Sequence, residues 1–451
     1  MSASGMLVDH RNMGAAIRRL SLPIAFTMLG DQLLGVVDTI AIGSLGAVAL
    51  AGVTGAATVF TAVAFAIFGF FSGMSIVAAQ RIGARDLENY GKTVRAGFVV
   101  PFISAVMCAL LSIPLASVVI HAMVGNLASA HDSSLYLMLR CVSLLPIAIS
   151  GTLIVGLGAA GNRVLGVLVL AIVNIVHIPL LLILALGWGT HHPFGIVGAG
   201  ISSLLSETIA CVCALVYTWR RPIYQIFASF DLNWRLALEC ARLGLPEVVF
   251  LFAVIAPDSF IVAMLAPLGA VAISAFRALN VASDITFVVP SPIQSATQTV
   301  IGQRLGARDI EGARAFFIRA RRLSFWLTTV TGAVCAVLAW PLAYIFTLNA
   351  VVASAAALPL ALHMLTLPIK GYAMVSMSPV RASGDTRFSL IVGILTGILV
   401  VPVCYVCIRV FHIGLYGVPI AWIIAWGARA IATAIKLRGE AWTRRNLVAP
   451  V

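Results

Sequence analysis

Along the 451-residue chain, apolar stretches of about 20 residues or more recur from Leu22 to Leu437, separated by short segments rich in Gly, Pro and charge. Each is long enough to cross a hydrocarbon core about 30 Å thick. The apolar residues run continuously instead of alternating. Lipid offers the backbone no hydrogen-bond partners, so helices, not barrel strands, are predicted. The punctuation divides the pattern into twelve spans, near 22–43, 48–79, 96–122, 134–158, 164–187, 196–218, 239–264, 270–300, 322–347, 353–379, 388–410 and 415–436. The expected fold class is an all-α integral membrane protein.

Basic residues test that division, because cytoplasmic loops hold an excess of Lys and Arg. Arg11, Arg18 and Arg19 precede the first span, and every even-numbered span exits into a basic segment. Examples are Arg81, Arg85, Lys92 and Arg95 after span 2, Arg304 to Arg322 after span 8, and Arg438, Arg444 and Arg445 after span 12. The opposite turns, Ser44-Leu45-Gly46, the segment around His131 and Asp132, Thr190-His191-His192 and Pro267-Leu268-Gly269, hold no Lys or Arg, and Arg409 alone breaks the rule. A multi-pass protein of the cytoplasmic membrane with both termini cytoplasmic is expected.

The chain also repeats itself. Gln80-Arg81-Ile82-Gly83-Ala84-Arg85-Asp86 recurs as Gln303-Arg304-Leu305-Gly306-Ala307-Arg308-Asp309, an offset of 223 residues, and Leu45-Gly46-Ala47-Val48-Ala49 recurs identically at Leu268. Leu145-Pro146 returns as Leu367-Pro368. Six helices per half give both halves the same orientation, and transporters place the substrate path between such parallel repeats. The expected organisation is a six-helix lobe over 1–220, a cytoplasmic linker over 221–236 and a second six-helix lobe over 237–451.

Composition agrees with lipid burial: 61% of residues are hydrophobic and 10% charged, against about 25% charged in soluble domains. The net charge of +13 comes from arginines between spans, not from a basic soluble face, so nucleic acid is not an expected partner. The partners expected are the lipid bilayer and a small-molecule substrate, with the chain acting as a monomer. The eight cysteines lie in or at the ends of apolar runs, and Cys404 and Cys407 read as small packing residues, so neither a disulfide framework nor a metal site is expected. The first apolar run is too long for a signal-peptide core, so no cleaved signal is expected. No phosphate-binding loop and no nucleophile–base–acid constellation is present, which argues against an enzyme and against ATP as the energy source. An ion gradient remains. The expected coupling ion is H+ or Na+, and no cofactor is called for.

Ionisable groups inside the spans are then the candidates, since a central carboxylate costs about 2.5 to 3.5 kcal/mol on insertion scales. Asp38 lies deep in span 1 and is the first candidate to exchange a proton or bind Na+. Asp31 sits two turns earlier on nearly the same face. Asp258 and Asp284 are embedded in spans 7 and 8, with Arg277 as a counter-charge. Lys370, in the middle of span 10, demands a carboxylate, a water cavity or an anionic substrate. Glu207 and Glu247 lie nearer helix ends and read as structural or gating groups. Asn174, His177 and Ser203 place polar atoms in spans 5 and 6, His177 reading as a packing histidine. Gly69 and Gly73 are spaced for close helix packing.

Val37-Asp38-Thr39 in span 1, Leu45-Gly46-Ala47-Val48-Ala49-Leu50-Ala51-Gly52 opening span 2, the repeated Gln-Arg-Ile/Leu-Gly-Ala-Arg-Asp loop and Val380 to Arg387 after span 10 resemble the multidrug and toxic compound extrusion (MATE) family of the multidrug/oligosaccharidyl-lipid/polysaccharide flippase superfamily. The resemblance runs from about residue 12 to 437. It implies a V-shaped antiporter that exports organic, often cationic, amphiphiles against H+ or Na+, with Asp38 as the coupling carboxylate. In the DinF-type branch that residue works with an Asn and an Asp on helix 5 and a Thr on helix 6. Asn174 matches the Asn, Ser203 takes the place of the Thr, and Ile178 stands where the Asp would be. In the NorM-type branch carboxylates on helices 7 and 10 also serve the cation. Those positions fall at Val254, with Asp258 one turn on, and at Lys370. The departures favour H+ over Na+, and Lys370 admits an anionic or zwitterionic substrate. A lipid-linked oligosaccharide flippase and a membrane scaffold that has lost coupling are the alternatives.

Overall fold

The computed structural model describes residues 13–125, 128–189, 193–229, 231–444 and 447. Arg11, Thr190-His191-His192 and Arg445 lie outside the described residues, as does the side chain of Val254. The helices in chain order are α1 (Met13–Gly43), α2 (Ala47–Gly83), α3 (Leu87–Val124), α4 (Ala130–Ala159), α5 (Val164–Leu184), α6 (Gly195–Trp219), α7 (Trp234–Leu265), α8 (Ala270–Thr286), α9 (Pro290–Gly306), α10 (Ile310–Val337), α11 (Ala339–Thr347), α12 (Ala350–Met364), α13 (Leu367–Ala382), α14 (Thr386–Tyr405), α15 (Gly417–Arg438) and the short α16 (Ala441–Arg444). Among the described residues nine helices are long and apolar enough to cross a membrane, or eleven if each of two bent pairs is one span. The 32-residue α7 occupies the place of the seventh predicted span.

The bends fall in the second half. Span 9 is α10 and α11 at 72°, span 10 is α12 and α13 at 41°, and span 8 is interrupted between α8 and α9. In each case a proline, Pro341, Pro368 or Pro290, stands in the first turn of the following helix, where its missing N–H costs nothing but where it cannot continue the preceding ladder. The counterpart Pro146 lies inside the continuous α4. The same dipeptide therefore breaks one half and not the other.

The repeat recurs as geometry. Gly46 and Gly269 cap α2 and α8 at φ 116° and 91°, and Gly161 and Gly384 both adopt φ 81°. Asp86 and Asp309 cap α3 and α10 by accepting from the N–H of Asn89 and Gly312, and each is paired to the arginine five residues before it, Arg81 at 3.1 Å and Arg304 at 2.9 Å. Arg85 and Arg308 turn the chain at φ 61° and 58°. The tight polar knot, one carboxylate serving both a helix N-terminus and a guanidinium, explains why this stretch is spelled nearly identically twice.

By packing, the chain forms two compact units: an N unit, Phe26–Val248, and a C unit, Met1–Ala25 with Val249–Val451. Ala25 and Val248 are 223 residues apart, the offset of the repeat. In the N unit, Gly73 lies against the backbone of Cys240 and Gly244 and Gly69 against Val248, so the small-residue pair of α2 seats the start of α7. In the C unit, Ile17 and Leu20 of α1 join a core with Ile293, Ala296, Phe316 and Val375. The polar segment after α6 is docked on the N unit: Arg95 donates to Gln225 O at 2.8 Å, Ile226 O at 2.9 Å and Ser229 Oγ at 2.9 Å.

Candidate functional site

On α1 the exposed apolar residues Phe26, Leu29, Leu33, Val36 and Ile40 form one stripe at helical spacing. Asp31 and Asp38, seven residues apart, fall on the opposite side. Asp38 does not stand alone there. His177, on α5 and only 2% exposed, brings Nε2 to 2.8 Å from Asp38 Oδ1. Behind the ring, Ser206 Oγ on α6 lies 3.5 Å from Nδ1, while the Ser206 hydroxyl donates to Ser203 O at 2.9 Å. An N–H on either ring nitrogen thus has an oxygen to face.

Other charged groups surround this network. Arg140, on α4, lies over the Phe60 ring at 3.9 Å. Glu207 on α6 interacts electrostatically with Arg140, Asp31 and His177, and Tyr136 with Arg140 and Asp38. Asn174 and Ser203 direct their hydrogen bonds into their own helices, to Leu170 O at 3.0 Å and Ala199 O at 3.1 Å. Each stands three residues before a member of the network, His177 or Ser206.

The remaining candidates belong to the C unit. Asn280 donates to Asp258 Oδ2 at 3.4 Å. Asp258, Asp284 and Arg277 influence one another electrostatically. Lys370 is 7% exposed, donates to Ser283 Oγ at 3.3 Å and faces the Phe287 ring at 4.7 Å and the Trp426 ring at 5.8 Å. The predicted residues therefore fall into two groups, Asp31, Asp38, Asn174 and Ser203 in one unit and Asp258, Asp284 and Lys370 in the other.

Two in-register repeats, each holding ionisable groups inside its own spans, are the pattern of a carrier. The MatE family profile matches residues 23–183 and again 246–406, the same 223-residue displacement as the internal repeat. The chain belongs to the MatE family. A probable multidrug resistance protein NorM from Caulobacter vibrioides is 24% identical over 95% of this chain and 92% of its own. Another from Aromatoleum aromaticum is 25% identical, and that match spans 64% of this chain and 63% of the relative's length. A solved structure of a multidrug resistance MATE family transporter of the MOP superfamily, in its outward-facing conformation, superposes with a TM-score of 0.87 at 22% identity, covering 95% of this chain and 96% of that one. This is a NorM-like MATE transporter, a multi-pass membrane carrier of a family that performs transport and not enzymatic chemistry.

Reasoning from sequence passed over Arg140 and Arg429, within the spans of α4 and α15, and read His177 as a packing histidine. Arg140 and Arg429 interrupt apolar runs as plainly as Asp38 does, and the cost of an intramembrane charge singles them out equally. The pairing of His177 with Asp38 left no local signal, since 139 residues separate them.

Proposed function

We propose that this MATE transporter exports amphiphilic drugs or metabolites, cations foremost, across the cytoplasmic membrane in exchange for H+, and that Asp38 exchanges the proton in concert with His177. The observation that carries the reading is the 2.8 Å contact between the Asp38 carboxylate and the buried imidazole. A hard alkali cation is held by oxygen ligands, and a ring nitrogen against Oδ1 offers it none. An imidazole paired to a carboxylate does exchange protons. Asn174 and Ser203 flank the pair in this reading.

Around the Asp38–His177 pair the carboxylates Asp31, Asp38 and Glu207 outnumber the guanidinium of Arg140, which favours an organic cation while Asp38 is ionised. Protonation of Asp38 weakens that attraction. One negative charge shared between proton and substrate is enough to couple the two flows. The names of the NorM relatives support drugs as substrates. The basic segments after even-numbered spans support cytoplasmic termini, and both repeats lie in one chain, so a monomer suffices.

Proteoliposomes loaded with ethidium test the proposal. An imposed pH gradient drives ethidium movement, a Na+ gradient alone does not, and Asp38→Asn abolishes transport while the protein still inserts. Full activity in Asp38→Asn overturns the assignment.

A further inference from the structure

Lys370 lies in the first turn of α13, just past the break between α12 and α13. An ammonium withdrawn from water inside a span requires negative charge close by. Its contacts are a hydroxyl and two aromatic rings, and Asp284 acts on it electrostatically without closing to an ion pair among the described residues. A second cation converges on the same place. Arg429 of α15 faces the same Trp426 indole at 4.6 Å, donates to Thr396 Oγ1 at 3.0 Å and faces Phe250 at 5.3 Å. Two like charges on one ring repel, and Lys370 and Arg429 interact electrostatically. Immediately before the break, His363 is 7% exposed and its Nδ1 has no hydrogen-bond partner among the described residues. The break adds the positive end of the α13 dipole within the span.

We infer that this cluster of the C unit binds a carboxylate carried on an aromatic molecule, with Lys370 as the charge that fixes it. A carboxylate has two oxygens, enough to accept from the Lys370 ammonium and the Arg429 guanidinium together, and it relieves their repulsion. Phe287, Trp426 and Phe250 supply apolar faces for the ring of such a ligand. An inorganic anion satisfies the charges and leaves the rings unused. An aromatic cation uses the rings and meets two charges of its own sign. The ligand class is therefore an aromatic acid or zwitterion, bound at a site separate from the Asp38 network on which the export reading rests.

The test is equilibrium binding to the full-length protein in lipid nanodiscs, without any gradient, by calorimetry against empty discs. Naphthoate binds saturably, naphthylmethylammonium does not compete with it, and inorganic phosphate at the same concentration does not displace it. Lys370→Met weakens naphthoate about tenfold or more, and Lys370→Arg recovers part of the loss. Unchanged affinity in Lys370→Met, or displacement by phosphate, overturns the site. Should Lys370→Met not yield monodisperse protein, Arg429→Gln carries the same expectation. Asp38→Asn binds naphthoate as the unaltered protein does, so a failure of proton coupling and a failure of this site give different results.

Discussion

At the scale of single residues, the decisive pair is Asp38 with His177. Gln at position 177 keeps an N–H to offer the Asp38 carboxylate but cannot take up a proton, so it separates hydrogen bonding from titration. His177→Gln is expected to weaken the pH dependence of export while the protein still inserts. An unchanged profile in proteoliposomes would assign His177 a purely structural part. Asp38 itself was legible because a carboxylate in lipid is costly wherever it occurs. Its partner was not, because a histidine in an apolar helix reads as packing until the fold brings the carboxylate to it.

At the scale of elements, close approach and capping set what the chain tolerates. Gly73 meets the Cys240 carbonyl and the Gly244 backbone, so Gly73→Val forces α2 and α7 apart. Its thermal unfolding midpoint in detergent should fall well below that of Gly35→Val, a position with open space around the Cα. In the repeated loop, Asp86→Ala removes the cap of α3 and the partner of Arg81 at once. The expected cost is about 1 to 2 kcal/mol, and Asp309→Ala should cost a similar amount because its geometry is the same. These loops were readable as a repeat from spelling alone. The breaks in spans 8, 9 and 10 were not: Pro146 stays within α4 whereas Pro368 opens α13, so the same Leu-Pro dipeptide is compatible with either outcome.

At the scale of the whole molecule, the charge pattern predicts which loops face which compartment. A cysteine at exposed Leu232, between α6 and α7, should resist a membrane-impermeant maleimide in intact cells and react after permeabilisation. One at exposed Trp188, after α5, should react directly; the reverse result would invert the topology. Membrane burial, helical class, the repeat and its family follow from sequence, because lipid leaves a backbone few choices and a duplicated chain keeps its spelling. Tertiary structure alone decided that Asp38 faces an imidazole, that Lys370 and Arg429 share one indole, and that the starts of α1 and α7 each pack with the other half of the chain. Those are contacts between positions far apart in the chain, and helical periodicity and hydropathy report only on neighbours within a few turns.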